Sequence, residues 1–338
     1  MDGPVPLSRR WHETARMAGR RLFERLSRSA QHRAMMAVLD EIVARQEQEK
    51  AWRKIFRRQL SAVIRQQFLA GTDIPTPYWL RAQRARLRSQ NEEDGITLAL
   101  LRAAGVVNRR FVEIGSGKTG GNSAVLAFDC GWAGLMVEMG TSKVESLRRA
   151  LAFNPSVKVV KARVTPENFN RMLTDHGFAG EVDFMSIDVD GIDYWLLDAL
   201  KVCSPRLLVM EYNIFFGPDR ALTLPPTDIP PPRPRGYFGA SFRALEKKAP
   251  EKGYRLVMCE AAGVNAFFVR DGAAPQIEGL SPADALSMVD EFDPTDQTGM
   301  PLDIFALIGK LRLPIVEVQG GFHSVQRFVV VWQPRVDP

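Results

Sequence analysis

Acidic side chains recur where apolar runs end. Glu113 precedes a glycine-rich turn, Glu138, Asp188 and Glu211 close three later runs, and Asp190, Asp193 and Asn213 follow close behind. Carboxylates gathered at such positions accept N–H and O–H groups, hold cations, or take a proton from a reacting hydroxyl. The most concentrated signal is Arg109–Phe128, RRFVEIGSGKTGGNSAVLAF. There Phe111, Val112 and Ile114 run into a glycine loop, and a helix-compatible segment follows from about Asn122. A strand, a glycine loop and a helix in that order bring bare backbone close to a bound molecule.

The surrounding pattern supplies the frame. Strands are expected over 111–114, 134–137, 157–161, 182–187 and 206–210, with helices over 142–153, 166–173 and 194–200. This alternation predicts an α/β domain built on a parallel sheet. In open sheets of that kind the ligand crevice lies at the C-terminal strand ends, where the acids fall. Residues 217–236 are proline-rich and read as a long loop. A helix over 241–251 then leads to strands at 254–259 and 266–270, whose short connection lets them pair antiparallel. Upstream, 78–89 and 96–104 read as helices. The acids of SQNEEDG (89–95) between them suit a helix N-terminus or the lip of a cation pocket.

The domain expectation is a basic helical extension over 1–88, the α/β domain over 89–275 and a cap or lid over 276–338. Helical periodicity runs from Ser8 to Ala70 in two or three amphipathic stretches. Residues 1–90 carry 19 Lys/Arg against 8 Asp/Glu, a net of +11, while the other 248 carry 26 against 31, a net of −5. The arm therefore suits an edge cover or a homodimer contact, or else a nucleic-acid or membrane surface. The three cysteines, Cys130, Cys203 and Cys259, show neither disulfide nor metal spacing, and no apolar run approaches a membrane span. A cytoplasmic location is expected.

Three chemistries use a glycine loop of this kind. The triphosphate loop, suggested by GSGKT, needs a glycine where this chain has Val112. The dinucleotide fingerprint is met formally by Gly115, Gly117 and Gly120 with Glu138 downstream. Glu113 counts against both, because a carboxylate at the strand end repels phosphate. S-adenosylmethionine carries an ammonium and a sulfonium and no phosphate, so the same charge helps. E-x-G-x-G after the first strand is the signature of class I methyltransferases, and Glu138 stands where those enzymes hold the ribose hydroxyls.

Over about Ser89–Asp271 the chain resembles class I S-adenosylmethionine-dependent methyltransferases, specifically the FkbM-like family. Seven blocks carry the likeness in order: SQNEEDG (89–95), FVEIGSGKTGGNS (111–123), VTPEN (164–168), VDFMSIDVDGIDYWLLDAL (182–200), PRLLVMEYN (205–213), YFGAS (237–241) and GVNAFFVRD (263–271). The resemblance implies a Rossmann-like, mostly parallel sheet of order 3-2-1-4-5-7-6 with its last strand antiparallel. It also implies methyl transfer, commonly to a hydroxyl of a sugar or natural-product intermediate. Lys118, after the second glycine, departs from the acidic or small residue expected, and its side chain should point to solvent.

Carried onto this chain, the resemblance places Glu113, Gly115, Ser116 and Gly117 against the methionine part of S-adenosylmethionine. Asn122 and Ser123 would cap the next helix and touch the cofactor. Arg163, Val164 and Thr165 would meet the adenine edge, although Thr165 before Pro166 is also a plain helix cap. Asp188, Asp190, Glu211 and Asn213 are the catalytic candidates, with Asp188 holding the methionine ammonium or acting as base. Asp188, Glu211 and Asn213 also resemble the Mg²⁺ arrangement of catechol O-methyltransferase. The plainer account makes Asp190-Gly191 a turn and Asp193 a cap. Tyr212 and Tyr237 suit substrate contact or packing, and His323 is the one histidine a lid could bring over the site. The expected activity is O-methylation of a small-molecule or glycan acceptor. The rivals are a dinucleotide or nucleotide-sugar enzyme, and a non-catalytic cofactor-binding scaffold with a basic arm.

Overall fold

The computed structural model describes residues 78–226, 234–290, 302–318 and 329–332, together with positions 38, 41, 45, 46, 292 and 295. The chain divides into residues 1–57 and 58–338. In the first unit Arg45 pairs with Glu41 at 2.8 Å, one helical turn away. The rest of the amphipathic arm, the dimer, nucleic-acid and membrane roles attached to it, and His323 all fall outside the described residues.

In the second unit the apolar runs form a seven-stranded sheet. β1 (Arg110–Ile114) lies between β2 (Ala133–Glu138) and β4 (Gly180–Ile187), with β3 (Val157–Lys161) and β5 (Cys203–Glu211) outside them, all parallel. β8 (Asn265–Arg270) runs antiparallel between β5 and β7 (Tyr254–Cys259). Counted within this sheet the order is 3-2-1-4-5-7-6, mostly parallel with one antiparallel strand, as the resemblance implied. Successive side chains point to opposite faces, so each strand feeds two cores. Val112, Met185 and Leu208 pack on one side with α5 (Pro166–Asp175), α6 (Asp193–Ala199) and α7 (Phe242–Glu251). Phe111, Phe184 and Leu207 pack on the other with α2 (Glu93–Ala104), α3 (Ala124–Phe128) and α4 (Thr141–Ala150).

Three local expectations give way to tertiary contacts. The helix expected over 78–89 ends early, as α1 (Tyr78–Ala82). Asp94 accepts the backbone N–H groups of Leu87, Arg88 and Ser89 at 2.7, 2.6 and 2.9 Å, which folds that segment back on itself. Glu93 and Asp94 are fully buried, so they line no cation lip. The loop expected over 217–236 contains β6 (Leu222–Thr223), which pairs with β9 (Ile315–Glu317), itself paired with β10 (Val329–Trp332). The tail also holds α8 (Pro282–Leu286) and α9 (Ile304–Leu311). Tyr237 packs among Leu222, Ile304 and Ile315, and its hydroxyl donates to the Pro314 carbonyl at 2.5 Å. Its place is therefore in this small core. Among the described residues no helix is long and apolar enough to cross a membrane.

Candidate functional site

Where β1 ends the backbone crosses its neighbours closely. The N–H groups of Gly115 and Ser116 donate to the Val137 carbonyl at 2.9 and 3.1 Å, and that of Asp188 donates to Ile114 at 2.9 Å. Gly115 has φ +93°, and a Cβ there would lie 1.6 Å from the Asp188 carbonyl oxygen. Only glycine fits both constraints. The loop is thereby laced across the C-terminal ends of β2, β1 and β4.

Glu113 departs from expectation. Its side chain turns beneath the loop, fully buried, where Oε1 accepts the Asn122 N–H at 3.1 Å and Oε2 the Ser123 N–H at 2.8 Å. Burial lifts its pKa to about 7, against the opposing hydrogen bonds from Ser123, Asn122 and Ser186. The carboxylate expected beside the ligand instead holds the turn that starts α3. Its charge is correspondingly a weak barrier to phosphate, and that argument passes to the acids around it.

Glu138, at the end of β2, is almost buried and receives the loop from above. Its Oε2 accepts the Gly117 N–H at 3.0 Å, its Oε1 accepts the Gly140 N–H at 2.8 Å, and Lys143 stands 3.7 Å away. Ser116 is buried against the Val137 carbonyl, while Lys118 is exposed as expected. Asn122 points inward, donating to Ser186 Oγ at 3.1 Å and Asn265 Oδ1 at 3.3 Å. Asn265 donates in turn to Glu93 at 3.1 Å. A buried chain of hydrogen bonds thus runs from the start of α2 through β8 to the glycine loop, and such chains fix one geometry when fully satisfied. The Ser123 hydroxyl donates to Gly120 at 3.3 Å, so both residues brace the loop. After β3, Thr165 caps α5 reciprocally with Asn168, whose amide also donates to the Arg163 carbonyl at 2.9 Å, and Val164 is buried in the core.

The remaining acids meet beyond β4 and β5. Asp188, Asp190 and Glu211 each offer a carboxylate oxygen, and these three oxygens lie within 4.8 Å of one another. Asp190 takes a left-handed conformation, φ +56°. The turn is held by Asp193, buried at the start of α6, which accepts the N–H groups of Val189 and Gly191 at 2.8 and 2.9 Å. Burial raises the Asp193 pKa to about 6 against those bonds. Asp188 and Glu211 are both pushed well above the ordinary carboxylate range, first by burial; the charges of Asp193, Asp190 and Glu113 then raise Asp188, and those of Asp188, Asp193 and Asp190 raise Glu211. They share a hydrogen bond. Glu211 Oε2 is buried with no hydrogen-bond partner among the described residues.

Asn213 does not join them. Its amide donates to the Gly236 and Phe238 carbonyls, each at 2.8 Å, and its oxygen accepts the Phe215 N–H at 2.9 Å. Both amide hydrogens and the oxygen are engaged in holding the loop after β5, and Asp190 takes the third position in the cluster. Immediately past Glu211, Tyr212 and Ile214 line a cavity of about 340 Å³. Sequence reasoning missed Asn265, Ser186 and most of this cavity wall, because they come from elements far apart in the chain. The one available signal was a lone asparagine in the otherwise apolar strand NAFFV.

No protein-family model and no curated protein matches the sequence. Solved structures to which the chain is similar include an O-methyltransferase from Bacillus cereus in complex with S-adenosylhomocysteine, at 16% identity over 63% of this chain and 99% of that one, TM-score 0.37. TomG, an O-methyltransferase from Streptomyces achromogenes involved in tomaymycin synthesis, matches at 16% identity over 64% and 99%, TM-score 0.37. The methyltransferase PaMTH1 of Podospora anserina matches at 14% identity over 63% and 96%, TM-score 0.36. At such values these likenesses carry no argument about activity, and the functional reading rests on the chain's own residues.

Proposed function

We propose that the protein is an S-adenosylmethionine-dependent methyltransferase acting on a hydroxyl of a small molecule. The observation that carries this reading is the ring of carboxylates, Glu138, Asp188, Asp190 and Glu211, at the C-terminal ends of β2, β4 and β5, in a sheet of order 3-2-1-4-5-7-6. Burial and repulsion among the neighbouring carboxylates push two of them, Asp188 and Glu211, well above the ordinary carboxylate range. A ligand bearing an ammonium and a sulfonium relieves that repulsion, whereas a pyrophosphate adds to it. The FkbM-like likeness of the seven sequence blocks agrees.

In this reading Gly115, Ser116 and Gly117 lie along the methionine part, and Glu138 accepts the ribose hydroxyls. The backbone after β3 meets the adenine. When bound, the cofactor supplies a methyl group whose carbon bonds to the acceptor oxygen as its bond to sulfur breaks, the electron pair leaving with sulfur. The Asp188–Glu211 pair would receive the acceptor's proton as the new carbon–oxygen bond forms. Little else is required of the protein beyond alignment, which the laced loop and the Asp193-held turn provide.

The same three carboxylates, with Glu211 Oε2 unpartnered, also suit a divalent cation such as Mg²⁺, through Asp188, Asp190 and Glu211 with Asn213 excluded. That cation would lower the acceptor's pKa.

Calorimetry with S-adenosylhomocysteine tests the main reading. Binding to the wild type, weakened at least about 10-fold by Glu138→Ala, is expected, from the loss of two charged hydrogen-bond acceptors. Absence of binding in the wild type, or tighter binding of a dinucleotide, refutes it. Full turnover in EDTA would dispose of the metal.

A further inference from the structure

Asn265 opens the largely apolar strand β8, and in register it stands directly opposite Glu211. The next pair along carries a backbone hydrogen bond, Tyr212 N–H to the Val264 carbonyl at 2.8 Å. Glu211 and Asn265 are therefore a close, non-hydrogen-bonded pair, with Cβ atoms about 5 Å apart on one sheet face. Asn265 is held at three points. Its N–H donates to Glu260 at 3.1 Å, its amide NH₂ donates to Glu93 Oε1 at 3.1 Å, and its Oδ1 accepts the Asn122 amide at 3.3 Å. Glu93 decides which way round that amide lies. Its carboxylate also takes the Asn91 amide at 3.1 Å and the Asn91 N–H at 2.8 Å. Facing such an acceptor, Asn265 turns its NH₂ there and its oxygen to Asn122. Asn122 must then donate, and its amide hydrogens go to Asn265 and to Ser186 Oγ at 3.1 Å.

We propose that Asn265 is a positioning residue for the cofactor: oriented by Glu93, it sets Asn122 and, through Asn122, the exit of the glycine loop. The inference rests on the methyl-transfer reading and gives the 89–95 block a part in it. Asn122 is pinned twice where the loop passes into α3. Glu113 takes its N–H and that of Ser123 from below, and the relay takes its side chain from across the sheet. Glu93, Asn265, Asn122 and Ser186 are each at most 4% exposed, so water is a poor substitute for a lost partner. The direction of the relay also serves the carboxylates. Glu211 Oε2 has no partner among the described residues, although the Asn265 amide lies directly across the ladder from it. An asparagine free to turn would take that oxygen. Held by Glu93, Asn265 fixes the loop and leaves the Glu211 carboxylate open to a ligand.

The test uses the full chain and two readouts, calorimetric affinity for S-adenosylhomocysteine and hydrogen exchange of the ligand-free protein. Asn265→Leu keeps the side chain's shape and removes both of its hydrogen bonds. It should weaken S-adenosylhomocysteine about 10-fold and speed exchange at the Asn122 and Ser123 N–H groups about 10-fold. Exchange in the centre of β1 and β4 should stay within about twofold of wild type. Glu93→Gln serves if that variant melts early, because its NH₂ meets a donor on Asn265 or on Asn91. Combining Glu93→Gln with Asn265→Asp makes an amide donor face a carboxylate that still accepts Asn122. That pair should return both readouts to within about threefold of wild type. A purely structural residue would instead raise exchange across the whole sheet and leave the affinity of the folded protein unchanged. That pattern overturns the proposal, as does a paired variant no better than the single ones. Should the wild type fail to bind S-adenosylhomocysteine while local exchange rises and the pair reverses it, the loop-setting role stands and the cofactor reading falls. Wild-type binding with both single variants unchanged sinks the relay alone.

Discussion

Glu113→Gln separates a carboxylate that builds the glycine loop from one that touches the ligand. In the fold this group is fully buried under two backbone N–H groups, and its pKa rises from an ordinary 4.5 to about 7. The folded chain therefore holds the proton more tightly than the unfolded chain. The favourable contribution is complete below pH 4.5 and fades as pH rises through about 7. At about 1.4 kcal/mol per pH unit, its full span is about 3 kcal/mol. Glutamine stays neutral throughout, so the variant's stability should improve relative to wild type by about that amount between pH 4.5 and 8. A constant penalty of about 1–3 kcal/mol is superimposed, because the glutamine NH₂ faces an N–H that the second oxygen had accepted. Urea unfolding of both proteins across that pH range measures the difference, in which groups that do not feel the Glu113 charge cancel and Asp188, which that charge raises, adds in the same direction. Parallel profiles would refute the reasoning. Parallel profiles together with a large loss of S-adenosylhomocysteine affinity would return Glu113 to the ligand.

Two further substitutions probe the frame. Gly115→Ala should prevent the loop from closing on Asp188, since its Cβ would enter the Asp188 carbonyl at a left-handed φ, and thermal melting should show a loss beyond about 2 kcal/mol. A melting temperature within a few degrees of wild type would contradict the close approach. Asn213→Ala removes one accepted and two donated hydrogen bonds and should cost about 2–4 kcal/mol in urea, while any Mg²⁺ affinity of the folded protein stays unchanged. Loss of Mg²⁺ binding in that variant would restore Asn213 to the metal set.

The amino-acid order by itself determined the main sheet. Apolar runs such as VDFMSI and RLLVME must be buried on both faces, so the parallel α/β arrangement and the strand ends followed from local pattern. The acids at those ends, Glu138, Asp188 and Glu211, were legible for the same reason, because a side chain's place along a strand is set by its neighbours in sequence. What each acid does was not legible. Glu113 and Glu138 both lie at or near a strand's C-terminal end, yet one is locked beneath the turn and the other takes Gly117 and Gly140 at the crevice. Asn213 looked like a ligand until the carbonyls of Gly236 and Phe238, more than twenty residues on, took its amide. Asp190, readable as a catalytic acid or as a plain turn, entered the cluster because Asp193 bends the chain into a left-handed conformation there. The cavity had no pattern at all, since its wall is assembled from segments between Tyr212 and Phe292 that meet only after folding. Burial and hydrogen-bond competition act between residues distant in sequence. For that reason the frame could be read from the chain, while the division of labour among its carboxylates was decided by the tertiary structure.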